Sequence, residues 1–123
     1  MEETRLLVGR PYGGCAIMWR SSLDCVFDPI ETSSKRLVAG IMSISGMRLL
    51  LCNAYMPCDG DYADPLGVTY SEVIGNAHAI IDTCCVDNVI FAGDMNTDLR
   101  RTGSPHVPIL RSMAKQLGLF FFF

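Results

Sequence analysis

The stretch KRLVAGIMSISGMRLLLCNAY, residues 35–55, decides how this chain is built. Two apolar segments, KRLVAGIMSI and MRLLLCNAY, flank Ser45-Gly46, a pair suited to the tight turn of a β-hairpin. Within the second segment Leu49, Leu50, Leu51 and Cys52 follow one another without a polar break. A half-exposed strand would alternate, so this run predicts a strand buried on both faces. Tyr55 closes the segment, and Pro57 lacks the N–H with which a ladder would continue.

Downstream, MPCDGDYADPLGV (residues 56–68) is a loop by composition. A helix is predicted from about Thr69, where Thr69 and Glu72 make a T-x-x-E capping-box pattern. Val73, Ile74, Ala77, Ile80, Ile81 and Cys84 recur at helical spacing and form one apolar stripe, flanked by His78. NVIFAG (residues 88–93) carries no charge and reads as a strand, followed by the loop GDMNTDLRRTGSP. A second helix is expected from His106 or Pro108 to Leu117, with Ile109, Leu110, Met113 and Leu117 on one face and Gly118 as its stop.

Upstream of the hairpin, CAIMW (residues 15–19) reads as a short strand, and CVFDPI (residues 25–30) as another, ended by Pro29. Strands interleaved with helices predict a mixed α/β fold whose sheet or sheets are covered by helices.

The 123 residues fit one domain, and 50% hydrophobic against 19% charged residues is a globular balance. A net charge of −3 offers no general cationic footprint for phosphate backbones, so a nucleic-acid substrate would need local Lys or Arg, or a metal ion. None of the six cysteines is at C-x-x-C spacing, which argues against a zinc site and for thiols acting as small hydrophobes. No signal peptide is recognisable, and Arg48 interrupts the longest apolar stretch. A reduced intracellular compartment is the expectation. The closing LFFFF would be an exposed, aggregation-prone tail in an isolated domain, which suggests a chain cut from something larger.

Chemistry concentrates in two places. Asp94, Asn96 and Asp98 follow the apolar strand in D-x-N-x-D order, but Leu99 and Pro105 occupy positions where a calcium loop needs Gly and an acid. Asp59, Asp61 and Asp64 fail similarly at Ala63 and read as a solvated turn. Asp94 and Asn96 leave the carboxyl end of a strand at i and i+2, where side chains point the same way into a crevice. They suit either a turn with a helix cap or a carboxylate–amide pair holding a water or metal. Tyr55, at the end of its own strand, is either a rim tyrosine or a phenol able to bind phosphate.

Taken in order, GRPYGGCAIMWR (residues 9–20), NAYMPCD (53–59) and IFAGDMNTDL (90–99) closely resemble the endonuclease/exonuclease/phosphatase family, with its DNase I-like fold. More narrowly, they are similar to the endonuclease domain of non-LTR retrotransposon polyproteins. The similarity covers nearly all of residues 9–119, and three motifs in the right order are specific where any one would be weak. The resemblance implies a four-layer α/β sandwich truncated at both ends. It divides the chain into a partial domain, residues 1–119, and an apolar tail, 120–123.

By the same resemblance Asp94 is the carboxylate that orients or deprotonates the attacking water and touches the metal. Asn96 is the amide that binds the scissile phosphate and Asp94, and Tyr55 is the phenol at the phosphate. The implied cofactor is Mg²⁺ and the implied substrate DNA. A reverse transcriptase domain would accompany the site in the parent polyprotein, and the nucleus would be its place of action. Most members have Asn after Tyr-x-Pro; this chain has Cys58. Neither the family's metal-binding Glu segment nor its catalytic His segment has a counterpart, and His78 and His106 do not match that motif. Removing members of such a unit costs orders of magnitude in rate, so the expected nicking is little or none. The alternatives are a remnant of a mobile element without activity, and a phosphatase of the same fold, against which GRPYGG argues.

Overall fold

The computed structural model describes residues 14–59 and 64–121. Most of GRPYGG (residues 9–13), Asp61, Ala63 and the last two phenylalanines lie outside the described residues. Four strands form one sheet: β1 (Cys25–Ile30), β2 (Leu37–Ile44), β3 (Met47–Tyr55) and β4 (Asn88–Asp94). Their spatial order equals their chain order. β1–β2 and β2–β3 are antiparallel, whereas β3–β4 is parallel and bridged by α1 (Val68–Thr83). α2 (His106–Leu117) follows β4. The fold is mixed α/β, as the sequence predicts.

The hairpin turn is where it was expected. Ser45 and Gly46 both have positive φ, 50° and 75°, the pattern of a turn whose twist matches that of its strands. One face of the sheet is closed by the helices. Leu37, Ala39, Leu50, Cys52 and Ala54 from β2 and β3 join Tyr70, Val73, Ile74, Ala77 and Ile81 of α1 and Leu110 and Met113 of α2 in a single core. Burial, with Cys84 nearby, pushes the Cys52 thiol up to about 11, so it packs as an inert small hydrophobe. α2 ends as predicted at Gly118, whose left-handed φ of 66° lets its N–H and that of Leu119 turn back onto Ala114.

Four local expectations need correction. β3 is not buried on both faces: Leu50, Cys52 and Ala54 are buried, while Leu49 and Leu51, which point the other way, are half-buried. The unbroken apolar run therefore marks a strand with one helix-covered face and one partly open face.

Residues 15–19 form no strand. Two side-chain bonds fasten the segment: Asn53 donates to the Ala16 carbonyl (2.9 Å) and the Cys15 thiol donates to the Arg36 carbonyl (3.3 Å). Trp19 rests on Phe27 with ring centroids 4.8 Å apart, and Phe27 in turn covers Gly40 so closely that a Cβ there would strike the ring.

Pro29 does not end β1 but lies within it, opposite Gly40. Among the described residues the strand sits at the sheet edge, paired with β2, where a missing N–H can face outward.

The T-x-x-E pattern does not cap α1. The N-cap position is Gly67, with no side-chain bond of its own. The carboxylate of Asp64 accepts from the N–H groups of Val68 (2.8 Å), Thr69 (3.0 Å) and Tyr70 (3.4 Å). A charged acceptor reaching three otherwise orphaned donors outcompetes a hydroxyl that can reach one.

Candidate functional site

β3 and β4 run parallel, so their carboxyl ends lie side by side, where ligands of open α/β sheets bind. The register ends with Tyr55 opposite Asp94. Directly paired residues share a face of the sheet, so phenol and carboxylate project to the same side. The pairing extends one step further, with the Met56 N–H donating to the Asp94 carbonyl at 2.9 Å.

This closeness depends on Gly93. It has φ +124°, and a Cβ would overlap the Ala54 main chain and the Asn53 side chain. The glycine of the G-D-x-N motif is thus what lets β4 press against β3 immediately before Asp94.

Asp94 is exposed, and its Oδ1 accepts the Asn96 N–H at 2.9 Å. Asn96 adopts a left-handed conformation (φ 48°), and its amide nitrogen donates to the Met56 carbonyl at 2.7 Å. Strand alternation therefore does not govern the direction of Asn96. Its link to Asp94 runs through its main chain, and its amide reaches across to the end of β3. The three residues Tyr55, Asp94 and Asn96 are brought together at one sheet end.

Tyr55 is 40% exposed. The Arg36 guanidinium lies 5.6 Å from its ring centroid and donates to its carbonyl at 3.1 Å. This places a cation beside the phenol in an otherwise anionic chain.

Behind the site lies a cluster that the sequence reading missed. Asp59 is not part of a solvated turn: its side chain is 6% exposed. Its Oδ2 accepts from the hydroxyls of Ser104 (2.5 Å) and Thr97 (2.8 Å), with Arg101 at 3.6 Å. Oδ1 faces His106 Nδ1 at 3.7 Å. Burial raises the Asp59 carboxyl, but the two hydroxyls, His106 and Arg101 outweigh it and hold the group below its ordinary value. His106 itself is buried and stacked on Tyr70 (centroids 3.9 Å apart), and Tyr70 donates to the Met95 carbonyl at 3.1 Å. The Ser104 hydroxyl also accepts the His106 N–H, capping α2. The helix start was expected at His106 or Pro108 with Ser104 in the preceding loop, and nothing local to Asp59 betrayed its burial. His78 is a half-buried residue of α1.

Among the described residues no three His, Cys, Asp or Glu side chains gather where one cation could touch them all. Asp94 offers a carboxylate beside Tyr55 and Asn96. Nor, among the described residues, is any helix long and apolar enough to cross a membrane. Compared with known protein families and with characterised proteins, the chain matches no family profile and no characterised relative.

Proposed function

We propose that the carboxyl ends of β3 and β4 form a Mg²⁺-assisted site for phosphodiester hydrolysis, of the endonuclease/exonuclease/phosphatase type and acting on DNA. In this reading the sheet with its helices is part of a DNase I-like sandwich. The observation that carries it is the pairing of Tyr55 with Asp94, with Asn96 fastened between the same two strand ends.

Each group has a role that its position allows. Asp94 would hold the cation and orient the attacking water; one carboxylate fits Mg²⁺, which is commonly bound by one or two carboxylates together with substrate phosphates. When bound, the ion would neutralise charge on the phosphate oxygens. The Tyr55 phenol donates to a non-bridging phosphate oxygen, and Arg36 beside it adds positive charge where the chain as a whole has none to spare. One hydrogen of the Asn96 amide is taken by Met56, which leaves the other for the phosphate. Parent-protein partners, a reverse transcriptase domain among them, and action in the nucleus belong to the same proposal.

A second reading is a mobile-element remnant without turnover, in which these groups serve the fold: Asp94 Oδ1 accepts the Asn96 N–H and the Asn96 amide donates to the Met56 carbonyl.

Supercoiled plasmid incubated with purified protein and Mg²⁺, beside an Asp94→Ala variant, tests the proposal. In parallel, ¹⁵N-labelled protein is titrated with Mn²⁺. The hydrolase reading expects early broadening of the Asp94 and Asn96 amide signals and slow nicking that Asp94→Ala removes. Broadening without nicking selects the remnant. Equal nicking by both proteins, with broadening elsewhere, overturns both the metal site and the role of Asp94.

A further inference from the structure

Two loops carry the candidate site, and neither is held by regular structure. One leaves β3 at Met56 and reaches Asp59; the other leaves β4 at Met95 and reaches Ser104. They are cross-tied at two levels. Nearest the sheet, the Asn96 amide donates to the Met56 carbonyl. One step further out, the Thr97 hydroxyl donates to Asp59. Adjacent residues of one loop thus grip residues three apart on the other.

The outer tie has the stronger acceptor. A buried carboxylate is costly unless it is paired and hydrogen-bonded, and Asp59 meets that requirement with partners drawn from the second loop and the start of α2: Thr97, Arg101, Ser104 and His106. The inner tie has the weaker footing, because Asn96 sits in a left-handed conformation that disfavours residues with a Cβ, asparagine less than most. Such a conformation persists where its surroundings over-determine it.

We infer that Asp59 is a positioning residue for this site: its carboxylate, gripping Thr97, locks the β3 loop to the β4 loop and so holds Asn96 in its left-handed conformation beside Asp94. What Asn96 is held ready to do rests on the reading above; the holding itself rests on the geometry. Asp59 touches no reacting atom. It acts through Thr97 on Asn96.

The test reads Asn96 directly. In ¹⁵N-labelled protein the Asn96 side-chain amide, donated to Met56, is followed by its shift and hydrogen exchange. Thr97→Val keeps the shape and removes the hydroxyl; Thr97→Ser restores it. The inference expects Thr97→Val to speed exchange of that amide by about tenfold and to move its shift, and Thr97→Ser to return both to wild-type values. Asp59→Ala produces the same change, and in that background Thr97→Val adds nothing further. Unchanged Leu50 and Val73 methyl signals show that the core is intact; where Asp59→Ala unfolds the protein, the Thr97 pair decides alone. Wild-type exchange and shift of the Asn96 amide in Thr97→Val overturn the inference. Loss of protection in Thr97→Val together with no Mn²⁺ broadening at Asp94 in the wild-type protein leaves the inference standing and removes the hydrolase reading instead.

Discussion

The Cα of Gly93 faces the main-chain oxygen of Ala54 so closely that no Cβ fits between them. Only hydrogen at that position allows β4 to run alongside β3 to its end, and so allows Asp94 to stand opposite Tyr55. The contact is with backbone, which cannot rotate away, and φ at Gly93 is +124°. Gly93→Ala should therefore lower stability by about 3 kcal/mol or more, adding steric displacement to backbone strain. Urea unfolding monitored by circular dichroism measures it; a loss below about 1 kcal/mol would show that the two strand ends are not in contact.

The start of α1 separates two candidate caps. Asp64 accepts from three N–H groups of the first turn, while Thr69 and Glu72 make no such bonds. Asp64→Ala is expected to cost about 1–2 kcal/mol and Thr69→Ala under about 0.5 kcal/mol, by the same unfolding measurement. The reverse order would restore the capping box.

Asp59 predicts an acid-sensitive fold. Its carboxyl is held below the ordinary value of 3.8 against the opposing effect of burial, by Ser104, Thr97, His106 and Arg101. A carboxyl depressed in the folded state contributes stability that is present above the unfolded value and is lost as pH falls through the folded one. The wild-type protein should thus lose stability more steeply below about pH 4 than Asp59→Asn does. Unfolding midpoints at a series of acid pH values check this, and parallel acid limbs would mean that Asp59 titrates alike in both states.

Much of the architecture is legible because it is local. The Ser45-Gly46 turn, the apolar stripes of the two helices and the uncharged 88–93 strand are all written in spacing over a few residues. The candidate site residues were picked out for a related reason: Tyr55 and Asp94 each stand at the end of an apolar run, with Asn96 two residues beyond Asp94.

The acids of residues 59–64 show where such reading stops. Asp59 and Asp64 sit in one polar loop and look alike, yet one is buried against residues 38 and 45 positions away and the other caps the helix that follows it. Composition cannot separate them, because the difference lies in partners that only the fold brings near. β3 misleads for the same reason: four consecutive apolar residues fix a strand but not how many of its faces are covered.

The sequence by itself determined the hairpin, both helices, the final strand and the candidate polar residues, since turn chemistry and hydrophobic period act between near neighbours in the chain. Tertiary structure alone decided that β3 and β4 lie parallel in a register opposing Tyr55 to Asp94, and that the Asp59 carboxylate is bound by Thr97 of the loop carrying Asn96. Those choices depend on the closure of a 32-residue connection between Tyr55 and Asn88 and on a contact that only glycine permits, terms that no short window of residues contains.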